Sequence, residues 1–201
     1  MFTGIVRGLL PVKSIERKPY MIRLGFHFPP ELLQGLQQGA SVAIDGVCLT
    51  AAQISGSMIW FDVIQETLER TTLGTLLPGQ PVNVERSAKF GDEIGGHILS
   101  GHIFGTARID KIDAFENNKI VKFKADPAWM KYFFPKGYIA LDGVSLTLVD
   151  VDPTGYFTAH LIPETLKLTV FGIKKPGDQV NVEIDSHMQA IVDTIERMQK
   201  V

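Results

Sequence analysis

Two histidines stand five residues apart in Gly95-Gly96-His97-Ile98-Leu99-Ser100-Gly101-His102-Ile103-Phe104-Gly105, close to the middle of a 201-residue chain. A histidine titrates near neutrality and can carry protons in either direction. The chain's one cysteine, Cys48, is a possible nucleophile, and so is the hydroxyl of Ser41 if a base lies near it. Lys136 and His160 add a cation and a further imidazole. Each has a plainer reading. Cys48 suits a small buried hydrophobe on a strand, His102 a turn residue among glycines, His97 and His160 structural rings, and Lys136 a solvated loop charge. A zinc site would need a third nitrogen or sulfur ligand near the two histidines, and none follows.

What lifts some of these residues above the plain reading is that the chain repeats itself. Phe2-Thr3-Gly4-Ile5-Val6-Arg7-Gly8 returns as Leu99-Ser100-Gly101-His102-Ile103-Phe104-Gly105. Asp45-Gly46-Val47-Cys48-Leu49-Thr50 returns 97 positions on as Asp142-Gly143-Val144-Ser145-Leu146-Thr147. Glu66-Thr67-Leu68 matches Glu164-Thr165-Leu166, and Val82-Asn83-Val84-Glu85 matches Val180-Asn181-Val182-Glu183, now 98 apart. Shared residues build the fold or a shared pocket; matched residues that differ make the copies unequal. His102 faces Ile5 in this comparison, Cys48 faces Ser145, Lys136 faces Gly39, Ser41 faces Tyr138 and His160 faces Asp62. The Asp-Gly pairs read as turn-formers. The Glu-Thr pairs read as a polar rim ending a strand in each copy.

The elements that must hold these groups are mostly strands. Val82-Asn83-Val84-Glu85 alternates apolar and polar, and Met58-Ile59-Trp60-Phe61-Asp62-Val63 is rich in strand-forming residues. Glycine and proline recur about every ten residues, as in a small sandwich or barrel. One short proline-opened helix is expected in each copy, at Pro30–Gln37 and at Pro127–Phe134. Met188, Ile191, Val192, Ile195 and Met198 fall at helical spacing after Ser186, which with Gln189 forms a capping box. The first copy has no such helix, so its apolar stripe is expected to pair with other subunits.

Composition excludes several classes. Apolar residues make up 45% and charged residues 21%, with a net charge of −2 and no basic run, which argues against nucleic-acid and membrane partners. No segment reads as a signal peptide or membrane span, and a lone cysteine forms no internal disulfide; a cytoplasmic protein is expected. No long helix alternates with the strands, so a dinucleotide-binding unit is not expected.

Met1-Phe2-Thr3-Gly4-Ile5-Val6, the Asp45–Thr50 block, Glu66-Thr67-Leu68 and Gly95 through His102 together resemble the alpha-chain type of the riboflavin synthase family, over essentially the whole chain. The resemblance implies an all-β fold: two tandem six-stranded Greek-key barrels, residues 1–97 and 98–185, and a C-terminal helix, residues 186–201, that makes a homotrimer. It implies dismutation of two 6,7-dimethyl-8-ribityllumazine molecules, bound face to face, into riboflavin and a pyrimidinedione, with no cofactor and no metal. The site would lie between the first barrel of one subunit and the second barrel of its neighbour.

Carried over residue by residue, one pocket would use Gly4, Ile5 and Val6 with Cys48, Leu49, Thr50, Asp62, Val63, Ile64, Gln65, Glu66 and Thr67. The other would use Gly101, His102 and Ile103 with Lys136, Ser145, Leu146, Thr147, His160, Leu161, Ile162, Pro163, Glu164 and Thr165. Phe2 and Ser41 match positions near the rings. His102 would move protons, with Cys48 or Ser41 assisting. The rival reading is a non-catalytic antenna on the same fold that binds lumazine or flavin. Phe104, where the family commonly has aspartate, and Val47 depart from the pattern.

Overall fold

The structure, a computed structural model, describes residues 1–199. The first copy forms β1 (Gly8–Pro11), β2 (Ser14–Lys18), β3 (Met21–His27), β4 (Ser41–Ile44), β5 (Val47–Ser55), β6 (Met58–Ile64) and β7 (Pro81–Arg86). These make one antiparallel sheet in the order β1-β7-β4-β5-β6-β3-β2, whose two ends are neighbours in sequence. Only Val12 and Lys13 separate those ends. Val12 N–H donates to the Gln80 carbonyl and Lys13 N–H to that of Gly25, so the chain steps from one sheet edge to the other as the sheet curls round.

The second copy forms β8 (Gly105–Ala114), β9 (Lys119–Lys124), β10 (Tyr138–Leu141), β11 (Val144–Asp152), β12 (Tyr156–Leu161) and β13 (Gln179–Ile184), a closed barrel in the order β10-β11-β12-β9-β8-β13. Strand β8 runs unbroken where β1 and β2 are divided, and takes a register shift between Ile109 and Lys111 instead. The all-β, two-barrel reading therefore holds, with the first strand of the first copy in two pieces.

Alternation with period two fills both interiors. Val47, Leu49 and Ala51 of β5 point inward, as do Val144, Leu146 and Leu148 of β11. Phe26 and Phe61 centre the first core; Phe123 and Phe157 stack at 5.1 Å in the second.

The helices depart from expectation in four places. The first proline-opened helix, α1 (Pro30–Leu33), stops before Gly35, which takes a left-handed φ of 67°. Its counterpart, Pro127–Tyr132, is a 3₁₀ turn. The Glu-Thr-Leu segments open helices rather than end strands: α2 (Gln65–Arg70) and α3 (Pro163–Leu168). In α4 (Ser186–Met198) the capping residue is Asp185, whose carboxylate accepts from Met188 N–H at 2.9 Å. This helix packs Val192 on the second barrel, and the Tyr132 hydroxyl donates to Asp193 at 2.6 Å. Ile191, Ile195 and Met198 remain 51%, 50% and 73% exposed, an apolar stripe on its outer side.

The barrels meet about a local two-fold axis. Each Asp-Gly pair takes positive φ at both residues, the hairpin turn its composition favours, and Gly46 and Gly143 lie back to back. Asn83 Nδ2 donates to the Asp142 carbonyl and Asn181 Nδ2 to the Asp45 carbonyl, both at 2.9 Å. The two amide oxygens accept from Val170 and Thr72 N–H, so both buried asparagines are satisfied across the seam. Asp45 and Asp142 are buried there with one cation, Lys174, 3.1 Å from Asp142. The matched position in the first copy is Leu76, so the symmetry breaks at that ammonium.

Burial, reinforced by Asp142, pushes the Asp45 carboxyl well above its ordinary value of 3.8. The folded seam thus keeps a proton that the unfolded chain releases, and stability drains away as pH climbs from that ordinary value through the raised one. Asp45→Asn removes this term. In urea titrations from about pH 4 to 8 the variant should gain on the parent as pH rises; parallel profiles would contradict the assignment.

Candidate functional site

The site is built on two extended arms, one ahead of each barrel. Phe2 and Leu99 exchange backbone hydrogen bonds of 2.8 and 2.9 Å, so the arms run against each other. A buried glutamate clamps each one. Glu85 on β7 accepts from Thr3 N–H at 2.7 Å, the Thr3 hydroxyl at 2.8 Å and Gly4 N–H at 3.1 Å. Glu183 on β13 accepts from Ser100 N–H, the Ser100 hydroxyl and Gly101 N–H at 2.7, 2.8 and 3.0 Å. Burial raises both carboxyls above their usual value, against the pull of these donors.

Beyond the clamps each arm crosses to the other copy's barrel. Ser145 N–H donates to the Gly4 carbonyl and Cys48 N–H to the Gly101 carbonyl, both at 2.9 Å. The approach requires glycine. Gly4 and Gly101 have φ of 75° and 80°, and a Cβ on either would lie 2.5 Å from the Cβ of Ser145 or Cys48. Val6 then joins the second core, while Ile103 packs on the first. The pocket division implied by the resemblance is therefore exchanged: Gly4–Val6 belong with Ser145, and Gly101–Ile103 with Cys48.

A cleft of about 640 Å³ opens where the second arm meets the first barrel. Cys48, Glu66 and Thr67 line one side, His102 and Ile103 the other, and Arg70 faces Glu66 as an ion pair. The His102 side chain is exposed, and its backbone N–H donates to the Ser100 hydroxyl at 3.1 Å. Thiol and imidazole thus share a cleft in one chain, each from a different copy.

The other residues proposed for the first pocket lie apart from this lining. Ser41 and Thr50 face each other across β4 and β5, and Leu49 and Val63 are core. Asp62 is held below the usual carboxylate range by a two-pronged bond to Arg23 at 2.7 and 2.8 Å, which occupies its side chain. Ile64 is exposed and Gln65 bonds Glu69. Phe2 is buried among Ala43, Leu99 and Ala140.

In the second barrel Ser145 is half-buried, its hydroxyl 2.7 Å from His97 Nδ1. The His97 ring stacks on Tyr138 at 5.0 Å. Burial pushes its pKa below the usual histidine value, against Asp185, and its Nε2 has no partner among the described residues. Leu146 and Leu161 are core, whereas Thr147, Ile162, Pro163 and Glu164 are exposed. The Thr165 carbonyl accepts from the Thr169 hydroxyl. Lys136 is exposed in a left-handed turn, away from the Cys48 cleft. His160 lies beside a separate hollow of about 340 Å³ with Phe115 and Asn118.

Sequence reasoning missed Glu85, Glu183, Asn83 and Asn181, and the bond from His97 to Ser145. The signal for the first four was present: polar residues repeated identically within an apolar strand pattern.

Known proteins agree with this architecture. A family model described as the lumazine binding domain matches twice, over residues 3–87 and 100–185. Riboflavin synthase of Escherichia coli (strain K12) is 52% identical over 98% of this chain and 93% of its own length. The chain belongs to the riboflavin synthase family. Another family member, from Chlamydia pneumoniae, is 46% identical over 98% of this chain and 96% of its own. The family places the chain among transferases. A structure of LumP complexed with riboflavin shares the fold, with a TM-score of 0.85 and 29% identity over 92% of this chain and all of its own. LumP complexed with 6,7-dimethyl-8-(1'-D-ribityl) lumazine gives 0.84 at 28%.

If Glu183 holds the arm that carries His102, Glu183→Gln should cost about 2 kcal/mol of stability, because an amide N–H then faces backbone donors. Urea unfolding reads this directly; a change below about 0.5 kcal/mol would contradict the clamp.

Proposed function

We propose that this chain joins two molecules of 6,7-dimethyl-8-ribityllumazine, moving a four-carbon unit from one to the other to give riboflavin and 5-amino-6-(D-ribitylamino)uracil. The observation that carries the reading is the cleft in which Cys48 of one copy meets His102 of the other, while Ser145 of the second copy is bonded instead to His97 from the segment that joins the copies. Two related but unequal sites suit a reaction that uses one substrate in two roles.

The chemistry asks little of the protein in the way of cofactors. The electron-poor bicycle stabilises the anion left when its C7 methyl group loses a proton, so the substrate serves as its own electron sink. Holding two rings face to face contributes several kcal/mol, about 7–11 in the best intramolecular cases. A positioned proton carrier adds about 10²–10⁴-fold. His102, exposed in the cleft, takes that role. Cys48 is better placed than Ser41 to assist at the acceptor ring, because Ser41 lies outside the cleft lining. Neutral His97 orients the Ser145 hydroxyl in the second site.

Subunits associate as a homotrimer through the exposed Ile191, Ile195 and Met198 stripe, and a first-barrel site faces a second-barrel site across the contact. The protein works in the cytoplasm; among the described residues no helix is long and apolar enough to cross a membrane.

The test is direct. Purified protein incubated with 6,7-dimethyl-8-ribityllumazine should produce riboflavin absorbance, and His102→Gln should cut that turnover tenfold or more while the fold survives. Unchanged turnover would sink the assignment of His102. Full activity in Cys48→Ser would exclude a role specific to the thiol. The fold shared with LumP supports a second reading, an antenna, which binding without any new flavin would favour.

A further inference from the structure

The cleft beside Cys48 has an aromatic corner that the reaction does not account for. Phe104 and Trp129 line it, their rings meeting edge to face at 5.3 Å and 89°. The indole lies directly over Gly105: a Cβ there would sit 2.5 Å from the far edge of the Trp129 ring. Glycine at 105 and tryptophan at 129 are thus a matched pair, the missing side chain making room for the ring. Both aromatics belong to the second copy, although the cleft's other wall is the first barrel's Cys48, Glu66 and Thr67.

The corner is also braced from behind. Phe104 meets Tyr132 at 5.8 Å, and the Tyr132 hydroxyl donates to Asp193 of α4 at 2.6 Å. Lys131, next along the same turn, pairs with Glu196 at 2.6 Å. Two polar contacts therefore tie the Pro127–Tyr132 turn to the C-terminal helix. An aromatic side chain with few rotatable bonds makes a rigid platform, and flat heteroaromatic rings stack on such platforms.

We propose that the Phe104–Trp129 corner is the specificity wall of the first cleft, packing against the methyl-bearing edge of a bound lumazine or flavin ring, and that α4 holds it in place through Tyr132. The acidic and basic end of the cleft, Glu66 and Arg70, then takes the hydroxylated chain. This deepens the proposed function and rests on it. Trp129 and Phe104 bind and position the ring without exchanging protons with it, so their loss falls on affinity. Tyr132 acts through Phe104 and is a positioning residue.

The full chain is titrated with riboflavin, following the flavin's own emission, with KM and kcat measured on 6,7-dimethyl-8-ribityllumazine. An indole in contact quenches flavin emission, so the parent should dim bound riboflavin. Trp129→Leu should restore the emission and raise Kd and KM about tenfold, with kcat changed less than threefold. Trp60→Phe, which removes the chain's other tryptophan on β6, should behave as the parent. Tyr132→Phe, which keeps the ring and cuts the one of the two polar ties to α4 that acts on Phe104, should raise KM threefold or more at constant kcat. Riboflavin bound by Trp129→Leu with the parent's Kd and emission would overturn the proposal, as would an unchanged KM in Tyr132→Phe. A parent that binds no riboflavin and turns over no lumazine would instead overturn the functional reading, and this wall with it.

Discussion

Everything at this site depends on one backbone hydrogen bond and its copy: Cys48 N–H to the Gly101 carbonyl, and Ser145 N–H to the Gly4 carbonyl. Each draws the arm of one copy onto the barrel of the other, closely enough that only glycine fits. Because of that contact His102 lines a cleft with Cys48 of the other copy, and Val6 enters the other copy's core. Without the exchange, imidazole and thiol would serve different clefts.

The exchange is held by groups that had to be buried to do it. A glutamate in each last strand meets three donors of an arm, and an asparagine two residues earlier bonds the other copy twice across the seam. Leaving any of these donors or acceptors unpaired would cost about 1–3 kcal/mol. The same strands that close the barrels therefore also aim the arms, and their two glutamates and two asparagines are hydrogen-bonded throughout. The two-fold arrangement then departs from symmetry at a few matched positions. Cys48 is matched by Ser145, His102 by Ile5, and Lys174, which pairs with buried Asp142, by Leu76. On the function proposed above, a duplicated domain offers related surfaces to two copies of one substrate, and these departures would give them different duties.

Much of this was legible in the residues. The repeat showed in four blocks, two of them 97 and two 98 positions apart, strand alternation gave the barrels, and the Asp-Gly turns were placed correctly. Their burial at a seam was not visible, since a turn pair is ordinarily exposed and nothing local reveals a partner barrel. The Glu-Thr-Leu segments were misread as strand ends because three residues carry no period. Helix α4 was read as an oligomer contact, yet its Val192 and Asp193 side is occupied by its own chain and only the Ile191, Ile195 and Met198 side is free of it. The arm exchange lay beyond the sequence altogether: periodicity says which residues an arm contains, never which of two similar barrels it lies against.

The central claim is that each ring-binding cleft is made from one copy's barrel and the other copy's arm, within a single chain. A crystal structure of the protein with 6,7-dimethyl-8-ribityllumazine bound tests it most directly. The account predicts a ring within about 4 Å of both Cys48 and His102 of the same subunit. A ring beside Cys48 with Gly4–Val6 against it, or with His102 supplied by a neighbouring subunit, would contradict it.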